Sequence, residues 1–259
     1  MLYVEGFSQN KQNDNPLISY SYKKIENPIF KQDSLIKIES KKSFNSDIFN
    51  AFGENKEEFL DTYLCSVFNC IPKKNKRLHY INQWNTPILI YFDKALSKAL
   101  KESLVNFIKQ IEDIDNLDIS FVKKKDDANF LIRSTDKTFN VNYNFKNEKE
   151  RLSYAFNNGI YIQMRDKRKK IRGCILELNN NDQTPVIMKK NLNQLFFLSL
   201  GRFSLIYNLD NQFSLLNAKN QYTDEISELD LAMLKIHYNV IYNSPVTSDQ
   251  FTEIIKPNH

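Results

Sequence analysis

The chain has 259 residues, 41% hydrophobic and 26% charged, enough apolar material for a substantial core and a composition that excludes wholesale disorder. Its 5 glycines disfavour Gly-rich phosphate cradles and many-turned β-sandwiches. The formal charge of +5 is modest beside the dense basic stripe of a dedicated nucleic-acid binder, and the richness in Asn, Lys and Ile reads as the imprint of an AT-rich genome.

In chain order, Met1–Gly6 is too short for the apolar region of a signal peptide, and polar residues follow at once. Residues 1–46 mix Asn, Lys and Ser with scattered aromatics, which predicts an irregular N-terminal arm or short hairpin with strands at Ile25–Phe30 and Ser34–Ile38. Residues 47–259 are expected to form the main domain. From Glu54 the residues Phe59, Tyr63, Leu64, Val67 and Phe68 fall at helical spacing, and Pro72 ends the run. Lys73, Lys74, Lys76 and Arg77 make a basic loop. Thr86–Phe92, after Trp84, reads as a strand, and Leu96, Leu100, Leu104, Phe107, Ile108 and Ile111 mark one face of an amphipathic helix. Ile119–Val122 and Asn129–Arg133 read as further strands, so the order predicts a twisted sheet with a long helix across it.

Glu148–Tyr154 suggests a short helix. Gly159–Met164 and Lys170–Leu178 read as strands joined by the charged turn Arg165–Lys170. Pro185–Met188 looks strand-like, and a strongly apolar helix is expected from near Lys190 to Gly201, with the glycine as its C-terminal stop. Ser227 and Asp230 form an N-terminal capping pair for a helix carrying Leu229, Met233, Leu234 and Ile236; a last helix, capped by Ser248, is expected after Pro245. The most apolar stretch, Asn191–Phe203, is far too short for a membrane span.

Cys65, Cys70 and Cys174 form no Cys/His metal pattern. Cys65 and Cys70 would point to different faces of one helix, which makes a bond between them awkward. Either could pair with Cys174 in an oxidising compartment; the plainer reading is three small buried apolar side chains.

The run "QWNTPILIYFD", the helix after it, "LDISFV" and "DANFLI", followed by Cys174, "TPVIMKK", "NLNQLFFLSLG" and "SELDLAMLKIHY", together resemble a bacterial zincin-like family, domain-of-unknown-function family 2927, over roughly Asn45 to Ile255. The resemblance implies an α+β fold, a zincin-like twisted mixed sheet with packed helices, and an exported or cell-envelope location. An active zincin helix reads H-E-x-x-H-x-x-G, because two histidines one turn apart bind zinc from one side and the glutamate activates its water. Counted back from Gly201, this chain puts Gln194 at the first histidine, Leu195 at the glutamate and Leu198 at the second histidine. The family keeps acidic residues and a glutamine there; here the acids are gone as well. An amide is a poor zinc ligand, and leucine neither binds metal nor moves protons.

The expectation is therefore a pseudo-metalloprotease, a binding or structural module with no catalytic residue, metal or cofactor. His79 and His259 supply no convergent set, and His237 reads as a core histidine. The adjacent carboxylates Asp126–Asp127, Glu57–Glu58 and Asp224–Glu225 diverge from one another and read as solvated charge. Two rival readings stand beside this one. A divergent hydrolase could use Gln194, Glu177 and Asp182, and an anionic partner could meet Arg165, Lys167, Arg168, Lys169, Lys170 and Arg172, for which a solvated hairpin is the plainer account. A protein, peptide or glycan partner is also open, with Tyr20, Tyr22, Tyr143 and Tyr154 as groove-rim candidates.

Overall fold

A computed structural model of the protein describes residues 3–5, 56–68, 81–135, 159–167, 170–180, 183–221, 223–242 and 251. The strands expected at Ile25–Phe30 and Ser34–Ile38 and the helix at Glu148–Tyr154 lie outside these residues, and of the helix expected after Pro245 only Phe251 is described, helical and buried.

Strand β1 is Tyr3–Glu5. Helix α1 spans Lys56–Phe68 and buries Tyr63, Val67 and Phe68. Strand β2 is the two-residue Gln83–Trp84, and β3 is Ile88–Phe92. Helix α2, Lys98–Lys109, starts where the Ser97 hydroxyl accepts from the Leu100 N–H. It turns Leu100, Leu104, Phe107 and Ile108 inward, each worth roughly 1.5–3 kcal/mol of burial. Strands β4 (Ile119–Phe121), β5 (Phe130–Thr135), β6 (Gly159–Arg165) and β7 (Lys170–Asn179) follow.

The sheet runs β1-β6-β7-β5-β3-β4, and β2 pairs with the start of β7. Among the described residues, pairings β3·β4, β3·β5, β5·β7 and β2·β7 are parallel, and the β1·β6 and β6·β7 pairs are antiparallel. Helices with a mostly parallel sheet make the chain α+β. Alternation sets the faces: Ile88 and Ile90, Phe130 and Ile132, and Cys174, Leu176 and Leu178 are buried, while Leu89, Leu131 and Ile175 between them are half-exposed.

Helix α3 spans Pro185–Gly201, without the separate strand expected at Pro185–Met188. Val186 and Ile187 mimic a strand by composition. The Thr184 hydroxyl, however, accepts from the Ile187 N–H and Pro185 occupies the first turn, a pair of helix-start signals that extends the helix back to Pro185. Every residue from Asn191 to Gly201 is buried. Helix α4, Glu228–Lys235, is capped by Ser227 accepting from the Asp230 N–H, and a π-helical turn, Ile236–Val240, continues it.

Cys174 is a free, buried thiol, so neither other cysteine pairs with it. Cys65 is disulfide-bonded rather than a buried free thiol; Cys70, and with it the expectation that the two share one helix, lies outside the described residues.

The helix stop also differs in its agent. Arg202, at φ 54°, takes the left-handed position and donates its N–H to the Leu198 carbonyl, so Gly201 is not the terminator. Gly201 answers a packing demand: a Cβ there would come within 2.4 Å of Phe203 Cζ and 2.9 Å of His237 Nε2. Both rings are fully packed, so Gly201→Ala is expected to destabilise the fold by roughly 1–3 kcal/mol despite alanine's better helix propensity, read as a lower urea midpoint at unchanged m-value.

Candidate functional site

The residues that could carry chemistry gather around α3, and the structure uses most of them to tie chain to chain. Gln194 donates its amide hydrogens to the carbonyls of Leu215 (2.9 Å) and Asn217 (3.0 Å), and the side chain is 1% exposed. Leu195 and Leu198 are each 4% exposed and belong to the apolar core. A zinc ion does not fit these positions: the Gln194 nitrogen is spent on carbonyls, and the two leucines offer no donor atom. Among the described residues, no group of three or more His, Cys, Asp and Glu side chains is placed to hold a metal ion.

The 214–217 turn that receives Gln194 is gripped from its other side by Asp230 of α4. Its carboxylate accepts from the Ser214 hydroxyl (2.7 Å), the Leu215 N–H (2.8 Å) and the Ser227 hydroxyl (2.7 Å). Burial pushes the Asp230 carboxyl up to about 6, with these hydrogen bonds pulling the other way. The capping pair read from the sequence is present, but the aspartate side chain also serves a contact 15 residues upstream.

His237 is fully buried in the π-helical turn. Its Nε2 lies 2.8 Å from the Asn82 carbonyl, an acceptor only, so Nε2 carries the proton and Nδ1 accepts from the Tyr63 hydroxyl at 2.9 Å. Burial drives the imidazole down to about 3, so it stays neutral at physiological pH. Gln83 bridges the same region, donating to the His237 and Ile241 carbonyls that the wide turn leaves over and accepting from Lys170 Nζ.

The basic turn is not uniformly solvated. Arg165 is buried and donates to Asn82 Oδ1 at 2.8 Å; Arg172 makes two bonds to Asp166 Oδ2, at 3.1 and 2.9 Å. Lys170 is partly buried, which lowers its ammonium to about 8. Lys167 is exposed, and Arg168 and Lys169 lie outside the described residues.

Glu177 pairs with Arg133 directly across β5·β7, away from the Gln194 contacts, and Asp182 lies outside the described residues. So do His79, His259, the four basic residues at 73, 74, 76 and 77, and Tyr20, Tyr22, Tyr143 and Tyr154. Asp126 and Asp127 sit exposed in a single 3₁₀ turn, and Glu58, Asp224 and Glu225 are exposed as well.

One feature had no sequence signal. A polar cleft of about 310 Å³ opens between α2 and α3, lined by Glu102, Ser103, Asn106, Lys189, Asn193 and Asp224. These residues come from two helices and a loop, and only their packing brings them together. No family model matches the chain, and no curated protein matches it.

The two buried titrating groups oppose each other with pH. Asp230, raised from 3.8 to about 6, adds stability fully present below pH 3.8 and lost as pH rises through about 6. His237, lowered from 6.5 to about 3, adds stability present above pH 6.5 and lost as pH falls toward about 3. A tenfold change in proton affinity between the folded and unfolded chain amounts to about 1.4 kcal/mol, so the two effects largely offset between about pH 7 and 4.5. Urea midpoints of single variants should separate them: His237→Gln is expected to be more stable at pH 5 than at pH 7, and Asp230→Asn less stable.

Proposed function

We propose that this chain is a non-catalytic binding module on a zincin-like scaffold, a pseudo-metalloprotease whose former metal helix has become a structural centre. The observation that supports this reading is the inward commitment of Gln194, Leu195 and Leu198. A catalytic zinc helix presents its ligands to an open position that water and substrate can reach. In this chain the 214–217 turn takes both Gln194 amide hydrogens, and the leucines pack into the core. His237, the one histidine among the described residues, has both ring nitrogens engaged by Tyr63 and Asn82. What remains for function is recognition by surface and cleft.

Two measurements test it. Leu198→Asp places an unpaired charge in the core and is expected to cost roughly 3 kcal/mol or more, unfolding the chain, whereas Leu198→Met should cost under about 1.5 kcal/mol. A well-folded Leu198→Asp variant would mean that this face is open to water. Metal content is read by mass spectrometry on protein purified without chelators and dialysed in trace zinc. The expected result is well under one zinc per chain; stoichiometric zinc would overturn the reading and send the chain to peptidase assays.

A further inference from the structure

We propose that the cleft between α2 and α3 binds a free α-amino acid. Two residues that line this cleft, Asn193 on α3 and Ser103 on α2, each carry a buried side-chain oxygen (Oδ1 and Oγ) with no hydrogen-bond partner among the described residues, as Asn85, Asn191 and Asn220 also do. Asn193 is 4% exposed and sits in the most apolar helix of the chain. An amide acceptor buried there without a partner costs about 1–3 kcal/mol, which a leucine or alanine would avoid. A ligand that supplies an N–H to Oδ1 recovers that energy.

The lining selects the ligand's chemistry. Glu102 and Asp224 bring carboxylates and Lys189 an ammonium, with the Ser103 hydroxyl and the Asn106 and Asn193 amides among them. A lining of both signs suits a zwitterion: its ammonium faces the carboxylates and Asn193 Oδ1, and its carboxylate takes hydrogen bonds from Lys189 and the Ser103 hydroxyl. Among the described residues no aromatic ring lines the cleft, so these offer no stacking platform for a sugar face. A volume of about 310 Å³ lies at the low end for ligand sites, room for one small molecule.

The cleft is also preformed. Gln110, at the C-cap of α2, donates to the Asp224 carbonyl (2.8 Å) and accepts from the Ile226 N–H (2.8 Å), which clamps the loop that carries Asp224 onto α2. Holding that wall in place lowers the ordering cost of binding. The proposal rests on the binding-module reading, but it does not use Gln194, Leu195 or Leu198, whose tests are zinc content and the Leu198 variants.

The experiment is a titration of the ¹⁵N-labelled full chain with glycine, L-serine, L-glutamate, L-lysine and L-leucine. At least one is expected to give saturable shifts confined to the amides of residues 99–106, 189–193 and 223–226. Glycine amide, which lacks the carboxylate, and acetate, which lacks the ammonium, are expected to bind about tenfold or more weakly than the matching amino acid. Asn193→Ala is expected to lose the response while melting at the same or a higher temperature, since it removes an unpartnered buried acceptor. Ser103→Ala should weaken binding about tenfold at unchanged stability. Silence toward all five amino acids, binding of acetate as tight as glycine, or binding of glucose in their place would each overturn the proposal. So would an Asn193→Ala variant that melts lower, because the amide would then be a structural group.

Discussion

A helix surrounded by protein must have its carbonyl ends satisfied by protein, and the rest of this structure is arranged around that demand at α3. Its last turn lies in the core, out of reach of water, so each free carbonyl there needs a donor from another element. The Ser199 carbonyl accepts from Trp84 Nε1 and Gln163 Nε2, and the Leu200 carbonyl accepts from the Tyr238 hydroxyl at 2.6 Å. The Leu198 carbonyl takes the N–H groups of Arg202 and Phe203. Strands β2 and β6 and the π-helical turn are thus fastened to one helix end. Trp84 stacks on Phe130, Phe130 meets Phe196 at a tilt, and Phe196 meets Phe107 edge-on, so the apolar layer follows the same route from β2 through β5 and α3 to α2.

The same economy explains why so many buried polar side chains are found in an otherwise apolar core. Gln194, Asp230, Gln83 and His237 each bridge segments far apart in sequence and satisfy backbone groups that regular structure leaves over, and Tyr63 donates to the His237 ring. Such groups are costly singly and stabilising as completed networks. On the α2-facing side of α3, Asn193 and Ser103 keep buried oxygens without partners beside an open cleft; Asn85, Asn191 and Asn220 carry such oxygens as well.

Much of the architecture was legible beforehand because it rests on local periodicity. The face Leu100, Leu104, Phe107 and Ile108, the run Ile88–Phe92 and the pair Gly159–Arg165 and Lys170–Asn179 announce helix and strands through spacings of 3.6 and 2. The Ser227 cap was readable for the same reason. Composition misled at Pro185–Met188, where the short-range cue from Thr184 and Pro185 outweighs the β-branched side chains that follow. At Gly201 the residue type suggested a stop, but the constraint comes from rings at Phe203 and His237, the latter 36 positions away.

The sequence by itself determined most of the described helices and strands, which of their faces are apolar, and that Gln194, Leu195 and Leu198 are unsuited to bind zinc, since side-chain chemistry and near-neighbour spacing suffice for those statements. Tertiary structure alone decided the strand order, the inward turn of Arg165 and Lys170, the neutrality of His237, the raised carboxyl of Asp230 and the existence of the α2–α3 cleft. Each of these depends on groups distant in the chain being brought together out of water, where desolvation and pairing outweigh any local preference, and no window along the sequence contains that information.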